Sequence, residues 1–122
     1  MDAQLAQLKD FHTKFDPTWH ETPTLVSDDV RALRVRLMRE EMEEAIEAME
    51  EENLEHIAKE ISDVLYAVYG TIGSYGLASK MTEIFNENHK SQMSKDVPEG
   101  GTGKAVKGDT YKEADIISIL QK

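Results

Sequence analysis

Five acidic residues in two short motifs are the part of this sequence best equipped for chemistry. Glu40, Glu41 and Glu44 form a Glu-Glu-x-x-Glu, and Glu60 and Asp63 form a Glu-x-x-Asp further along. Both lie in strongly helical sequence between Arg39 and Tyr66. If the two helices lie side by side, four or five carboxylates converge on one point. Like charges that close raise one another's cost of ionisation, so a neutralising cation is expected. Mg²⁺ suits the set, because it takes oxygen ligands in octahedral geometry and shares them between carboxylates and substrate phosphates; Mn²⁺ is the natural substitute. With two or more ions, one polarises a phosphoryl oxygen while another lowers the pKa of an attacking water. A spare carboxylate such as Glu40 could then orient or deprotonate that water.

The alternative is an exposed acidic helix pair in which the spacing arises by chance. Against it, Glu60 and Asp63 stand beside an apolar face with no adequate Arg or Lys complement on their helix. An EF-hand is excluded, since no D-x-D-x-D-G loop is present.

The elements that must position these acids follow from periodicity. Ser27-Asp28-Asp29 supplies a hydroxyl N-cap and acids for the positive end of a helix expected over about 28–51. Along it Val30, Leu33, Leu37, Glu41, Glu44 and Ala48 share one face, so Glu41 and Glu44 continue an apolar stripe. Glu43, Glu47, Glu50 and Glu51 fall on another face, with Glu40 at the boundary. A second apolar stripe, Val35, Met42, Ile46 and Met49, implies packing on two sides, and a homodimer interface is the expected use.

Glu52-Asn53 reads as a turn into a helix over about 54–74, where Ile57, Ile61, Val64, Leu65, Val68 and Ile72 form a wide apolar face. Glu60 and Asp63 border that face near His56, and Ala67 and Gly70 leave room for close approach. Before these two helices, residues 3–15 carry Leu5, Leu8, Phe11, His12 and Phe15 on one helical stripe, which Asp16-Pro17 should end. The linker 18–26 holds Trp19, His20 and Pro23; Trp19 either covers the core edge or, with Phe15 or His12, lines a base pocket.

A further helix is expected over about 79–94, with Met81, Ile84, Phe85 and His89 inward, and a short amphipathic one over 111–121. Between them runs a Gly-rich loop with Lys95 just before it and Lys104 and Lys107 within it, able to close over phosphates. It is no P-loop: the motif's first Gly would fall where Pro98 stands, and its Ser or Thr where Ala105 stands. No pair among the four histidines has metal-ligand spacing on one helical face. The expected fold is all-α, a four-helix bundle with a short C-terminal helix after the Gly/Lys loop, over one domain spanning 1–122.

Composition bounds the function. The net charge of -10 disfavours a nucleic-acid duplex as partner but admits a nucleotide arriving with Mg²⁺. With no cysteine, disulfides and thiolate metal sites are excluded. The sequence offers no apolar run of the ~20 residues a membrane span needs. Its N-terminus has no secretory h-region, so a cytoplasmic protein is expected.

The succession of E-E-x-x-E (Glu40 to Glu44), E-x-x-D (Glu60 to Asp63), H-x-x-x-x-S-K (His89, Ser94, Lys95), a G-K-x-x-K loop and a tyrosine resembles the all-α NTP pyrophosphatase superfamily. That superfamily includes MazG, the dimeric dUTPases and phosphoribosyl-ATP pyrophosphohydrolase. Phe11-His12 is similar to an F-H pair of the compact dUTPase-like MazG group. The resemblance covers residues 5–120 and implies a MazG-like bundle that cleaves a nucleoside triphosphate between the α- and β-phosphates, yielding a monophosphate and pyrophosphate. It implies Glu41, Glu44, Glu60 and Asp63 as metal ligands, Glu40 as the water-activating or additional metal-binding acid, and Lys95, Lys104 and Lys107 as phosphate contacts. Phe11, His12 and Phe15 are the residues of the first helix expected to face substrate. At least a homodimer is implied, or a dimer of dimers. Gln92 departs from the resemblance, standing where relatives carry Asn in N-x-S-K, which moves the amide of that substrate contact by one methylene. House-cleaning hydrolysis of dUTP leads; phosphoribosyl-ATP hydrolysis and a non-catalytic helical dimer that binds nucleotides or proteins are the rivals.

Overall fold

A short turn and two side-chain caps shape the centre of the molecule. The computed structural model describes residues 1–15, 18–101 and 103–122, so the expected helix stop at Asp16-Pro17 lies outside the described residues. The fold is all-α: α1 Asp2–Phe15, α2 Asp28–Glu51, α3 Leu54–Ser74, α4 Met81–Met93 and α5 Ile116–Leu120. Among the described residues no helix is long and apolar enough to cross a membrane. The chain comprises two compact units, Met1–Ser79 and Lys80–Lys122.

In the first unit, α2 begins where expected, with Ser27 Oγ accepting from the Val30 N–H at 3.3 Å. It ends at Glu52, whose φ of 56° is left-handed, and Asn53 Oδ1 then accepts from the His56 N–H at 3.1 Å to start α3. This two-residue turn makes α2 and α3 an αα-hairpin. Buried Ala45 and Ala48 of α2 and Ala67 and Gly70 of α3 keep side-chain bulk low where the helices meet. The third helix also packs against α1, through the buried Leu5 and Leu8.

The linker after α1 docks on the C-terminal end of α3. His20 N–H donates to the Gly73 carbonyl at 3.0 Å, and Thr24 N–H to that of Tyr75 at 2.9 Å. The buried Ser74 hydroxyl donates to the Thr18 carbonyl at 3.3 Å. Gly76, with φ 69°, lets the chain turn beside the Thr22 carbonyl. At Gly73 the need is space, since an added Cβ would sit 1.9 Å from Trp19 Cζ3. Gly73→Ala is therefore expected to cost about 1–3 kcal/mol by overpacking. Chemical unfolding followed by fluorescence checks this cleanly, because Trp19 is the only tryptophan.

Several side chains expected inward are exposed. Ile61 and Leu65 are 41% and 46% exposed, because α1 and α2 cover only part of the circumference of α3. On α1, Phe11 and Phe15 stand largely outside the core formed by Leu5, Leu8 and His12. The second stripe of α2 lies open along its length: Val35 42%, Met42 48%, Ile46 46% and Met49 49%.

In the second unit, α4 is shorter than expected by about a residue or two at each end. Met81 and Ile84 are partly buried, whereas Phe85 and His89 are exposed, because the five-residue α5 covers little of α4. The helix expected over 111–121 forms only at Ile116–Leu120. Asp115 accounts for the late start: its carboxylate accepts from the N–H and the hydroxyl of Ser118, and these bonds hold its pKa below the ordinary range. The preceding segment is tied back instead, with Lys112 N–H donating to Ser94 Oγ at 2.9 Å. Asp96 and Val106 close the base of the Gly/Lys loop through a pair of backbone bonds of 2.8 and 3.0 Å.

Candidate metal centre and adjoining pocket

The hairpin geometry determines which acids meet. Glu44 and Glu60 lie at nearly equal distances from the Glu52-Asn53 turn, and so do Glu41 and Asp63. Antiparallel packing therefore brings the two motifs level, and helical phase turns these four side chains toward one another. One carboxylate oxygen from each of Glu41, Glu44, Glu60 and Asp63 lies within 4.8 Å of the others. Glu60 is buried, Glu41 and Asp63 half-buried, and Glu44 exposed.

Two observations test whether this donor set fits a cation. First, Glu41 Oε2 and Glu60 Oε2 are buried and have no hydrogen-bond partner among the described residues. An acceptor left unpartnered out of water is costly unless something positive meets it. Second, the Glu41 carboxyl is held above the ordinary glutamate range, first by desolvation and then by the charges of Glu44, Asp63 and Glu60, with Lys59 opposing. An all-carboxylate set with unmet acceptors and mutual repulsion fits a hard divalent ion.

Two basic side chains flank the group, and one of them, Lys59, is a complement on α3 itself, contrary to the expectation that the helix has no adequate Arg or Lys partner. The Lys59 ammonium pairs with Asp63, which holds the Lys59 pKa up. His56 lies between two acids, with Nδ1 2.9 Å from Glu51 Oε2 and Nε2 3.2 Å from Glu60 Oε1. The Glu51 bond is the main cause raising its pKa. The Lys59–Asp63 and His56–Glu60 contacts follow four-residue spacing on α3, the signal the sequence offered, whereas Glu51 reaches His56 across the turn.

Glu40 stands apart from the four. It is exposed, with Oε1 3.9 Å from Arg36 Nε on the same helix. Gln92, Lys95, Lys104 and Lys107 all belong to the second unit. Gln92 and both loop lysines are exposed, and Lys107 Nζ sits 5.0 Å over the Tyr111 ring.

A cavity of about 280 Å³ adjoins the acids, lined by Phe11, His12, Arg34, Leu37, Tyr66 and Ala67 with Glu41 and Asp63. Phe11 meets Tyr66 edge to face, with centroids 5.2 Å apart. Phe15 does not line the cavity but packs against Phe11 with the rings tilted, centroids 4.9 Å apart. His12 is buried, with Nδ1 donating to the Thr18 carbonyl at 3.1 Å and its ring against Trp19 at 5.3 Å.

Arg34 and Tyr66 escaped the sequence reading. Arg34 is 5% exposed, with Nη2 donating to the Ala67 carbonyl at 3.0 Å and Nε to Thr71 Oγ1 at 3.1 Å. It shares a helical face with Glu41, Ala45 and Ala48, a register that would have marked it as inward. Gly70 makes the room: a Cβ there would lie 2.5 Å from Arg34 Nη2 and 2.8 Å from His12 Nε2.

A family model described as phosphoribosyl-ATP pyrophosphohydrolase matches residues 8–92, a span holding all four converging acids and the aromatic pocket. Comparison with curated proteins gave no match.

Proposed function

Because the chain belongs to the phosphoribosyl-ATP pyrophosphohydrolase family, within the MazG-like all-α NTP pyrophosphatase superfamily, we propose that it hydrolyses a nucleotide between its α- and β-phosphates, releasing a monophosphate and pyrophosphate. The observation that carries this reading is the convergence of Glu41, Glu44, Glu60 and Asp63, with two buried oxygens unmet, at the edge of an aromatic cavity.

In this reading the four carboxylates hold Mg²⁺, or Mn²⁺ in its place. When bound, the metal supplies Lewis-acid neutralisation of phosphate charge. The four acids hold it from two rigid helices, which keeps their oxygens aimed without reorganisation. Glu40 lies on α2 at ~40° from Glu44 and is the acid we assign to orienting and deprotonating water, releasing Arg36 as it does so. That water adds to phosphorus as the α–β bridge opens, and pyrophosphate leaves. Phe11 and Tyr66 hold the base, His12 buttresses them from the buried side, and Phe15 supports Phe11. Lys95, Lys104 and Lys107 are assigned to phosphates by charge, and Gln92 to a substrate contact by the resemblance alone.

A compact base suits the cavity, which is at the small end for ligand sites and mostly apolar. On that ground dUTP leads. Phosphoribosyl-ATP is the second reading, favoured by the family description. Relative kcat/KM across dUTP, the other dNTPs, the NTPs and phosphoribosyl-ATP decides between them. A preference for phosphoribosyl-ATP would overturn the dUTP assignment. Tyr66→Ala is expected to raise KM by roughly 10-fold, from lost stacking of about 1–3 kcal/mol per base, with a smaller effect on kcat.

We further propose that residues 1–122 act as one catalytic domain in the cytoplasm, and that two chains pair through the open stripe of α2, as a dimer or a dimer of dimers. Val35, Met42, Ile46 and Met49 form the contiguous apolar surface that supports this.

A further inference from the structure

The residues that hold a metal ligand in place are as much a part of a metal site as the ligand, since outer partners fix its orientation. Among the four converging acids, Glu60 is the most buried, and its two oxygens have different surroundings. Oε1 faces His56 Nε2 at 3.2 Å, whereas Oε2 is buried without a partner. The opposite ring nitrogen of His56 faces Glu51 Oε2 at 2.9 Å. Glu51 is the last residue of α2, and the His56 N–H is capped by Asn53 from the turn. The imidazole is thereby held at both ring nitrogens, and its backbone at the turn, by the hairpin that carries the acids.

We propose that His56 is a positioning residue for the metal centre: clamped by Glu51, it holds one oxygen of Glu60 and leaves the other for the cation. The inference rests on the four-carboxylate reading and extends it to Glu51 and His56, which lie outside the acidic motifs. Glu60 would then offer a cation Oε2, the buried oxygen without a partner among the described residues, while Oε1 is steadied by His56. Loss of the imidazole frees the carboxylate to rotate, and the cation then meets a mobile ligand. Charge alone predicts the opposite sign, since a basic group beside a cation site weakens binding.

Calorimetric titration of Mn²⁺ alone into the full chain tests this, with melting in EDTA as the control for folding. His56→Ala is expected to weaken Mn²⁺ binding by roughly 10- to 100-fold at an unchanged EDTA melting temperature. His56→Gln, whose amide can still donate to Glu60, should restore most of the affinity, and Glu51→Ala should fall between. Binding by His56→Ala as tight as wild type, or tighter, overturns the proposal. If His56→Ala does not fold, the other two variants decide on the same criterion: Glu51→Ala binding as tightly as wild type overturns it. A wild-type chain that takes up no Mn²⁺ would remove the metal reading itself, a failure separable from that of His56 by its appearance before any substitution.

Discussion

Glu41→Gln should lower Mg²⁺-dependent pyrophosphate release by at least about 10²–10³-fold, the scale seen when one preorganised electrostatic group is removed, while stabilising the metal-free fold. The two effects share one cause. Glu41 sits among Glu44, Glu60 and Asp63 with a buried, unpartnered oxygen, so it is both a needed ligand and a source of repulsion. Neutralising it relieves the repulsion and removes the ligand together. In EDTA the variant should melt a few degrees higher, on the order of 2–5 °C for a stabilisation near 1 kcal/mol or less. The pH dependence follows with a definite sign. A carboxyl whose folded pKa is raised contributes stability below its unfolded pKa and loses it as pH rises through the folded value. Glu41 is such a group, so the metal-free wild type should gain stability from it on mild acidification, and Glu41→Gln should not. Melting curves in EDTA across that range check this; a variant less stable than wild type would contradict the repulsion argument.

Met42→Glu combined with Ile46→Glu should convert a dimer into a monomer. Both side chains are nearly half exposed in the single chain and lie on the open stripe of α2. A charge at the centre of an apolar interface must be desolvated without a partner, and central interface residues commonly carry about 2–4 kcal/mol each. For one such residue that corresponds to a dimer dissociation constant weakened by roughly 30- to 1,000-fold, and the double substitution should exceed it. Sedimentation equilibrium at micromolar concentration reads the change directly. A wild-type chain that sediments as a monomer, or a variant that still dimerises, would contradict the assignment of this face.

The sequence made the hairpin and the meeting of the four acids legible because both are local in origin. Ser27, Asn53 and the left-handed Glu52 set the helix ends within a few residues, and a two-residue turn leaves the helices only antiparallel packing. Helical phase then aims Glu41 and Glu44 at Glu60 and Asp63. What stayed hidden depends on contacts between distant segments. Arg34 reads as a surface cation until Gly70, Ala67 and Thr71 of α3 are seen to receive it. His12 lies on the apolar stripe that periodicity gives for the first helix, but the Thr18 carbonyl and Trp19 that complete its burial come from the linker, outside that pattern. Glu40 adjoins the acidic cluster in sequence, yet it is exposed and faces Arg36, and it is not one of the four converging acids. The apolar pattern of 111–121 extends the C-terminal helix too far, because it does not register the bonds to Ser118 that make Asp115 a cap.

The central claim is that carboxylates from α2 and α3 hold a divalent ion that cleaves a nucleotide at its α–β bridge. Phosphorus-31 NMR of a dUTP and a phosphoribosyl-ATP reaction, each with Mg²⁺ and with excess EDTA, tests it most directly. Inorganic pyrophosphate and the corresponding monophosphate are expected from at least one of them, with Mg²⁺ and not with EDTA. Orthophosphate as the first product, or equal turnover in EDTA, would contradict it.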